Sequence, residues 1–495
     1  MKNKLEELNK EIEREIEEIR DRVVSRRASA GYFPFSSYFI SELRDKIIGL
    51  NKDLDQVDSL EIEFIDRAMF GADITIRIPK LLKEFGVGKY IKEILPILSV
   101  NIKKLPKEDI LLVETKGIYI NLKLSDSYLF KSVLSAIEIG NKYGESDFGK
   151  KKSVVVDYSS PNVAKHLHAG HIRSTIIGEV LSNIYEATGY TAHRLNYVND
   201  WGGVGYLIEG YSRWAEKISN LESDKQKKEG SISARLNLLF SVYQMYRKGE
   251  KISKSEEVYN TLTPSDSDEL ANFYGDFASF LDFQEKFSQF KLASEERFNR
   301  LELGEEPELS LWKEMRKWSM EEFNKFYDLI NIHQDYLIGE SFYAKKGDKL
   351  ITEKLSTGEV VLFTDDLAER EVTSLKKRLE AGEITDVVFE KLSEEIARDV
   401  GAYVVLLPEG RRMVVKKASG ATIYATRDLA GIEHRVTTFN PDKMVYEVGE
   451  EQTGYFRDLF EAANVLNLTE SKKVALVHAA HGFYIDADTG KKLSS

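Results

Sequence analysis

The sequence predicts an α/β fold: a Rossmann-like parallel sheet interrupted by a helical insertion and preceded by a small α+β domain. Three observations lead there. The apolar, β-branched run Ser153-Val154-Val155-Val156-Asp157-Tyr158 is followed by turn residues, an amphipathic helix and a second strand, which is a βαβ unit and implies parallel pairing. A charge-rich helical stretch separates that unit from further buried strands at 443–449 and 473–478. A chain of 495 residues also exceeds what one domain of about 100–200 residues accommodates.

Taken in order, Leu5, Leu8, Ile12, Ile16, Ile19 and Val23 recur at steps of three and four among many charges, which predicts one long amphipathic helix. The pattern is short for a coiled coil, so a helix packed on its own domain is the simpler reading. Between Tyr32 and Leu129, segments 61–64, 72–78 and 117–122 alternate like strands and 81–95 reads as helix. Residues 1–130 are thus expected to form the N-terminal α+β domain, led by the helix. Residues 131–152 are a linker containing a helix (132–143) and Lys150-Lys151-Lys152. The sheet domain is expected over 153–205 and 320–495. Its first helix, about 170–188, presents Ile177, Val180, Leu181 and Ile184 on one face and stops at Gly189. Its second strand, 193–198, ends in Asn199-Asp200-Trp201-Gly202. Residues 206–319 are the polar helical insertion.

Composition narrows the chemistry. The formal charge is −12, with 42% hydrophobic and 31% charged residues and only 9 prolines, an ordinary globular balance. There is no cysteine, which removes disulfides, thiolate zinc sites, iron–sulfur clusters and cysteine nucleophiles. Met1-Lys2-Asn3-Lys4 opens no apolar signal core, and no window approaches 18 uninterrupted apolar residues. A cytoplasmic protein without membrane attachment is the expectation. The acidic total argues against loose nucleic-acid binding over the whole surface but leaves a local basic track open.

Three of the 8 histidines, His166, His168 and His171, lie within six residues in the turn between strand and helix, where open α/β sheets bind ligands. A helix N-terminus there offers unpaired N–H donors to a phosphate chain. Imidazoles can bear the charge that develops during an in-line displacement, and Gly170 lets a purine lie against the backbone. A metal site on His168 and His171 lacks an evident third ligand, and a purely structural turn is the other alternative.

His168-Ala169-Gly170-His171 resembles the HIGH signature of class I aminoacyl-tRNA synthetases. The flanking Asp157-Tyr158-Ser159-Ser160-Pro161-Asn162-Val163-Ala164-Lys165, then Ile172-Arg173-Ser174-Thr175, Asn196-Tyr197-Val198-Asn199-Asp200-Trp201-Gly202 and Tyr424-Ala425-Thr426-Arg427-Asp428-Leu429-Ala430, resemble the arginyl-tRNA synthetase family. The resemblance implies ATP with Mg2+ and no zinc, L-arginine and tRNA(Arg) as partners, and a monomer. It places arginine on Asp157, Asn162, Tyr424, Asp428 and Gln452, with Ser159, Asp200, Trp201 and Gly202 as further pocket wall. Position 157 is sometimes Glu in the family, so the shorter Asp shifts the substrate slightly. Physics agrees that a permanently charged guanidinium calls for carboxylates. On the residues alone, Asp428 also reads as a helix-opening acid and Tyr424 as a core aromatic.

The family's second signature is a Lys-Met-Ser-Lys-Ser-like loop over the ATP phosphates. Lys251-Ile252-Ser253-Lys254-Ser255 spells it closely but lies in the helical insertion and follows no strand, so it is a decoy. Gly490-Lys491-Lys492-Leu493-Ser494-Ser495 resembles the degenerate family version, in which a lysine ahead of HIGH stands in. Lys165, Lys492, Ser494, Ser495, His168 and His171 are therefore the expected phosphate clamp. Family members continue with a helical anticodon-binding domain, so a truncated chain is expected, completed by that domain in the full-length enzyme. Phe70-Gly71-Ala72-Asp73 and Gly117-Ile118-Tyr119-Ile120-Asn121 loosely resemble the family's tRNA-elbow module, whose partner is the D-loop. The rivals are a class I enzyme for cysteine, methionine or glutamate, which two acids disfavour, and a catalytically inactive tRNA-binding fragment.

Overall fold

The computed structural model describes residues 3–29, 47–50, 60–105, 107, 110–142, 144–167, 169–214, 228–469, 473–482 and 485. The chain divides into two units, one of residues 1–29, 152–185 and 191–495, the other of residues 30–151 and 186–190.

Helix α1 (Asn3–Ser29) belongs to the first unit. This differs from its expected place at the head of the N-terminal module. Ile16 is buried in the core of the sheet unit with Ile12 and Ile19 packed beside it. Glu13 pairs with Lys346, and Arg20 donates to the Thr438 carbonyl at 3.3 Å. The apolar stripe was legible; its destination was not.

The smaller unit contains β1 (Glu61–Phe64), α2 (Arg67–Phe70), β2 (Ile74–Arg77), α3 (Pro79–Lys89), α4 (Leu95–Ile102), β3 (Ile110–Lys116), β4 (Tyr119–Leu124) and α5 (Asp126–Ile139). Its four strands pair antiparallel in the order β1-β2-β4-β3. Alternation decides which face is covered: Ile74, Ile76, Ile120, Leu122 and Leu124 are buried with Tyr90 and Leu98 from the helices.

The larger unit is built on β5 (Ser153–Asp157), α6 (Ala169–Ala187), β6 (Thr191–Val198), β7 (Tyr336–Gly339), β11 (Lys443–Gly449) and β12 (Ala475–His481). The sheet is wholly parallel, in the order β12-β11-β5-β6-β7, as the βαβ pattern predicts. The chain runs outward from β5 through β6 and β7, then returns to the other side of β5 at β11. That reversal opens a crevice beyond the C-terminal ends of β5 and β11, where doubly wound sheets take their ligands.

Helix α6 packs differently from the expected face. Val180 and Ile184 are exposed, and the covered residues are Ser174, Thr175, Gly178 and Ser182. Small side chains let this helix lie close on the sheet: a Cβ at Gly178 would sit 2.1 Å from the Tyr158 ring.

Between β6 and β7 lie α7 (Val204–Trp214), α8 (Lys228–Ile252), α9 (Glu256–Asn260), α10 (Pro264–Tyr274), α11 (Phe280–Glu302) and α12 (Glu308–Leu329). They enclose a core of their own, with Phe273, Phe283, Phe287, Phe290, Trp312 and Trp318. Beyond β7, α13 (Glu340–Thr357) leads to a three-stranded antiparallel sheet of β8 (Val360–Leu362), β9 (Tyr403–Leu406) and β10 (Arg412–Lys416), ordered β10-β9-β8. Helices α14 (Asp365–Glu380) and α15 (Asp386–Asp399) cover it around Phe363 and Val404. Finally α16 (Tyr424–Phe439) precedes β11, and α17 (Thr453–Val465) joins β11 to β12. No helix among the described residues is long and apolar enough to cross a membrane.

Candidate active site

The loop from β5 to α6 is held in unfavourable backbone. Ser159, Ser160 and Ala164 all have positive φ (76°, 46° and 65°), each costing about 1–3 kcal/mol for a residue with a side chain. Hydrogen bonds hold it there. The Ser159 N–H donates to Ser174 Oγ at 3.1 Å, and Thr175 Oγ1 donates to Ser159 Oγ at 3.0 Å. Ser159 Oγ and the Tyr327 hydroxyl are 2.7 Å apart, and the Ala164 N–H donates to Ser319 Oγ at 3.0 Å. A parallel bridge joins Asn162 to Asn199 beyond β6. The strain therefore sits where the loop turns into the helix that carries Gly170 and His171.

This loop forms one wall of a cavity of about 300 Å³ at the crevice. Asp157, Ser159, Asn162, Gly170, His171, Tyr424, Asp428 and Gln452 all line it. Eight predicted residues from four separate stretches of chain thus meet at one place. Lys165 does not; its Nζ lies 4.2 Å from the centre of the Tyr243 ring. Asp200, Trp201 and Gly202 are not in this wall either. Asp200 is fully buried against Arg316 (2.9 Å) and the Ser341 N–H (2.8 Å), and the Gly202 N–H donates to Glu340 at 2.9 Å. Trp201 packs in the helical core against Trp312. Their loop instead positions Asn199, whose Oδ1 accepts from the Tyr424 hydroxyl at 2.8 Å. His168, Lys492, Ser494 and Ser495 lie outside the described residues. His166 faces Glu322 (2.8 Å) and Asn237 (3.0 Å), away from the cavity wall. In the decoy segment, Ile252 is buried in the helical core, Lys254 pairs with Glu250 at 3.2 Å and Ser255 caps α9. Ile252, Lys254 and Ser255 of that motif each have a structural task.

The cavity also contains residues that sequence reasoning missed. Arg435, one face of α16 with Asp428, pairs with Asp157 at 2.8 Å and lies between the rings of Tyr197 and Tyr446, 5.5 and 5.3 Å from their centres. A buried arginine looks like surface charge in a sequence; only its seven-residue spacing from Asp428, two helical turns, hinted at a shared face. Glu447 interrupts the apolar β11, which was a usable signal. It is buried and pairs with His481 at 2.7 Å.

Electrostatically, Arg435 takes Oδ2 of Asp157, the Tyr197 backbone also favours the charged carboxylate, and among the described residues Oδ1 meets no geometrically good donor. Burial still pushes this carboxyl above its ordinary value, opposed by Arg435. Among the described residues, Asp428 has no such ion pair. Burial raises it to about 7; the hydrogen bond donated by Tyr455 lowers it, Glu340 raises it further, and Arg435 and Arg427 oppose. Tyr424 is raised mainly by burial of its hydroxyl and then by Asp428, although 42% of the residue is exposed. Among the described residues, five buried polar atoms of lining side chains have no partner in good hydrogen-bond geometry: Asp157 Oδ1, Tyr197 OH, Arg435 Nε, Tyr446 OH and Glu447 Oε2. Such atoms are rare in folded interiors, and their convergence on one cavity marks a place made for a polar ligand. Four carboxylates (Asp157, Asp428, Glu447 and Glu451) against one guanidinium favour a cation at its acidic end.

Residues 132–370 and 365–495 match the family model described as "tRNA synthetases class I (R), catalytic domain". The arginine–tRNA ligase of Clostridium perfringens is 30% identical over 416 residues, 83% of this chain and 59% of the relative. That of Clostridioides difficile is 30% identical over 379 residues, 76% and 53% respectively. The chain therefore spans between half and three-fifths of the length of these curated relatives. Among solved structures, the arginyl-tRNA synthetase of Plasmodium falciparum superposes with a TM-score of 0.53 at 18% identity, over 90% of this chain and 64% of that one. The Thermus thermophilus arginyl-tRNA synthetase gives 0.51 at 15% identity, over 92% and 67%. At these identities the superpositions establish the shared fold. The family match, covering the parallel sheet, the helical insertion, the three-stranded sheet and every lining residue of the cavity, makes this chain a member of the class I arginyl-tRNA synthetase family, matched over its catalytic domain.

Proposed function

We propose that this chain activates L-arginine with ATP and passes the arginyl group to the 3′ end of tRNA(Arg). The observation that carries the reading is the acidic end of the cavity: Asp428 without an ion-pair partner, beside Asp157 already matched by Arg435. A guanidinium brings a permanent positive charge and a planar fork of donors to that carboxylate. Tyr424, tethered to Asn199, borders the side chain. Asn162, Gln452 and the spare oxygen of Asp157 receive the amino acid's polar backbone groups.

Opposite, Gly170 and His171 stand at the N-terminus of α6, where N–H groups favour phosphate. The arginine carboxylate attacks the α-phosphorus of ATP, the bond to the pyrophosphate breaks, and arginyl-adenylate results. A terminal ribose hydroxyl of the tRNA then attacks the acyl carbon, loses its proton, and AMP departs. Positioning and charge stabilisation supply most of the acceleration. His171 bears on the phosphate as charge builds. Magnesium enters as part of the Mg–ATP substrate and is assigned no protein ligand. His168, Lys492, Ser494 and Ser495 complete the phosphate clamp in this reading, the smaller unit meets the tRNA D-loop, and the enzyme works as a cytoplasmic monomer.

The test is ATP–pyrophosphate exchange in the presence of tRNA(Arg), with arginine, methionine, cysteine and glutamate compared. Exchange with arginine alone is expected. Faster exchange with methionine or glutamate would refute the pocket assignment, and tRNA binding without any exchange would favour an inert fragment.

A further inference from the structure

The stretch from Val163 to His166, just ahead of α6, packs into the helical insertion. Val163 and Ala164 are buried in the insertion's apolar core, the cluster that also holds Met315 and Trp318 of α12. Each of the next contacts is made to an insertion helix. The Ala164 N–H donates to Ser319 Oγ on α12 at 3.0 Å, and Lys165 Nζ sits 4.2 Å from the centre of the Tyr243 ring on α8. His166 lies between the two helices. Its ring meets that of Phe240 edge-on at 5.1 Å, and Nε2 is 3.0 Å from Asn237 Oδ1. Its Nδ1 is 2.8 Å from Glu322 Oε1, a carboxylate oxygen that can only accept.

Farther along α12, Tyr327 reaches the start of the same loop. Its hydroxyl accepts from Asn196 Nδ2 at 2.9 Å and lies 2.7 Å from Ser159 Oγ. Thr175 Oγ1 is 3.0 Å from Ser159 Oγ and 2.6 Å from the His171 carbonyl, so three hydroxyls in a row join α12 to the first turn of α6. Ser319 and Tyr327 are separated by about 12 Å along one face of the helix. The ends of this grip fall on the strained positions: Ser159 and Ala164 have φ of 76° and 65°. Such backbone persists only where the surroundings over-determine it. Released from α12, the loop would relax, and Gly170 and His171 would lose their register on the phosphate chain.

We infer that α12 sets the shape of the nucleotide loop, with Glu322 and Tyr327 as positioning residues acting through His166 and Ser159. The helical insertion is thereby coupled to the nucleotide site: displacing α12 lowers the affinity for ATP, and bound ATP is felt in α12. The inference rests on the ATP-dependent reading above and adds the element that controls it.

Two measurements on the whole chain test it, and the first needs no nucleotide. In Glu322→Ala and in Tyr327→Phe, the backbone amides of residues 159–166 should exchange with solvent about tenfold faster, while those of β11 and α17 keep their rates. Glu322→Gln keeps an oxygen that accepts from the ring and should restore most of the protection. Unchanged exchange in both variants would overturn the inference. Equal acceleration throughout the chain would overturn it too, because the two residues would then be merely structural. The second measurement uses the tryptophans, since all four (Trp201, Trp214, Trp312 and Trp318) lie in or against the insertion's core. ATP should change their fluorescence in the unaltered chain. In both variants ATP should bind about three- to tenfold more weakly by calorimetry, the share of one hydrogen bond, and the fluorescence change at saturation should shrink. Unaltered affinity with the full fluorescence change in both would also overturn the coupling. If the unaltered chain binds no ATP, the proposed function fails, and the exchange rates still decide whether α12 shapes the loop.

Discussion

Lowering the pH from 8 to 6 should weaken arginine binding about tenfold, through one carboxyl group. Burial lifts Asp428 from 3.8 to about 7. Roughly nine-tenths of it is then ionised at pH 8 and one-tenth at pH 6, and apparent affinity falls with the competent fraction. At pH 7, arginine binding should release about half a proton, because the guanidinium keeps the carboxylate charged. Stability moves the other way in the unliganded chain. Between about pH 4 and pH 7 the folded protein holds a proton that the unfolded chain has lost, so stability declines as pH rises through that window, by roughly 4 kcal/mol when complete. Arginine should therefore stabilise more at pH 8 than at pH 6. Calorimetry in two buffers of different ionisation enthalpy measures affinity and proton release together. Tyr455→Phe removes the hydrogen bond that lowers this carboxyl and should move the midpoint upward. The reasoning fails if affinity is flat from pH 6 to 8, or if Asp428→Asn retains the same profile.

Asp157→Asn should leave Arg435 as an unmatched buried cation facing the cavity, costing about 3 kcal/mol or more in stability. The same change should shrink the preference for arginine over its neutral analogue citrulline in competition binding. Gly178→Ala forces a Cβ to within 2.1 Å of the Tyr158 ring and should lower stability by about 1–3 kcal/mol in urea unfolding. Lys254→Ala breaks only an exposed pair with Glu250, so stability should stay within about 0.5 kcal/mol and pyrophosphate exchange should be unchanged; a large loss would return that loop to the active site.

The parallel sheet and the grouping of several predicted residues at one cavity were legible because their signals are local. Val154-Val155-Val156 admits only a buried strand, and Asp157, Asn162, Gly170 and His171 sit within fifteen residues of one turn. The antiparallel sheet of β8, β9 and β10 was not legible. Its strands are three to five residues long, too short for alternation to declare itself, and α14 and α15 separate them. The packed face of α6 misled for a different reason: hydrophobicity pointed to Val180 and Ile184, but close approach to the sheet selects Ser174, Gly178 and Ser182 by size. Arg435 depends on tertiary context alone. Nothing local in His434-Arg435-Val436 says that this cation is buried against Asp157.

That internal arginine changes how the cavity selects charge. Two acids converging on an empty pocket would repel each other, and burial would protonate one of them. Arg435 opposes this for Asp157 by pairing with it between the rings of Tyr197 and Tyr446. The remaining negative charge then falls on Asp428, which is held by a neutral tyrosine donor and not by a second cation. A hydroxyl orients the carboxylate without neutralising it. An incoming guanidinium consequently meets one carboxylate whose charge is unspent and a second that offers a hydrogen-bonding oxygen, Oδ1, without net charge. In the proposed reading the arrangement separates two tasks that a pair of bare acids would confuse: Asp428 would select for charge, and Asp157, paired with Arg435, would orient.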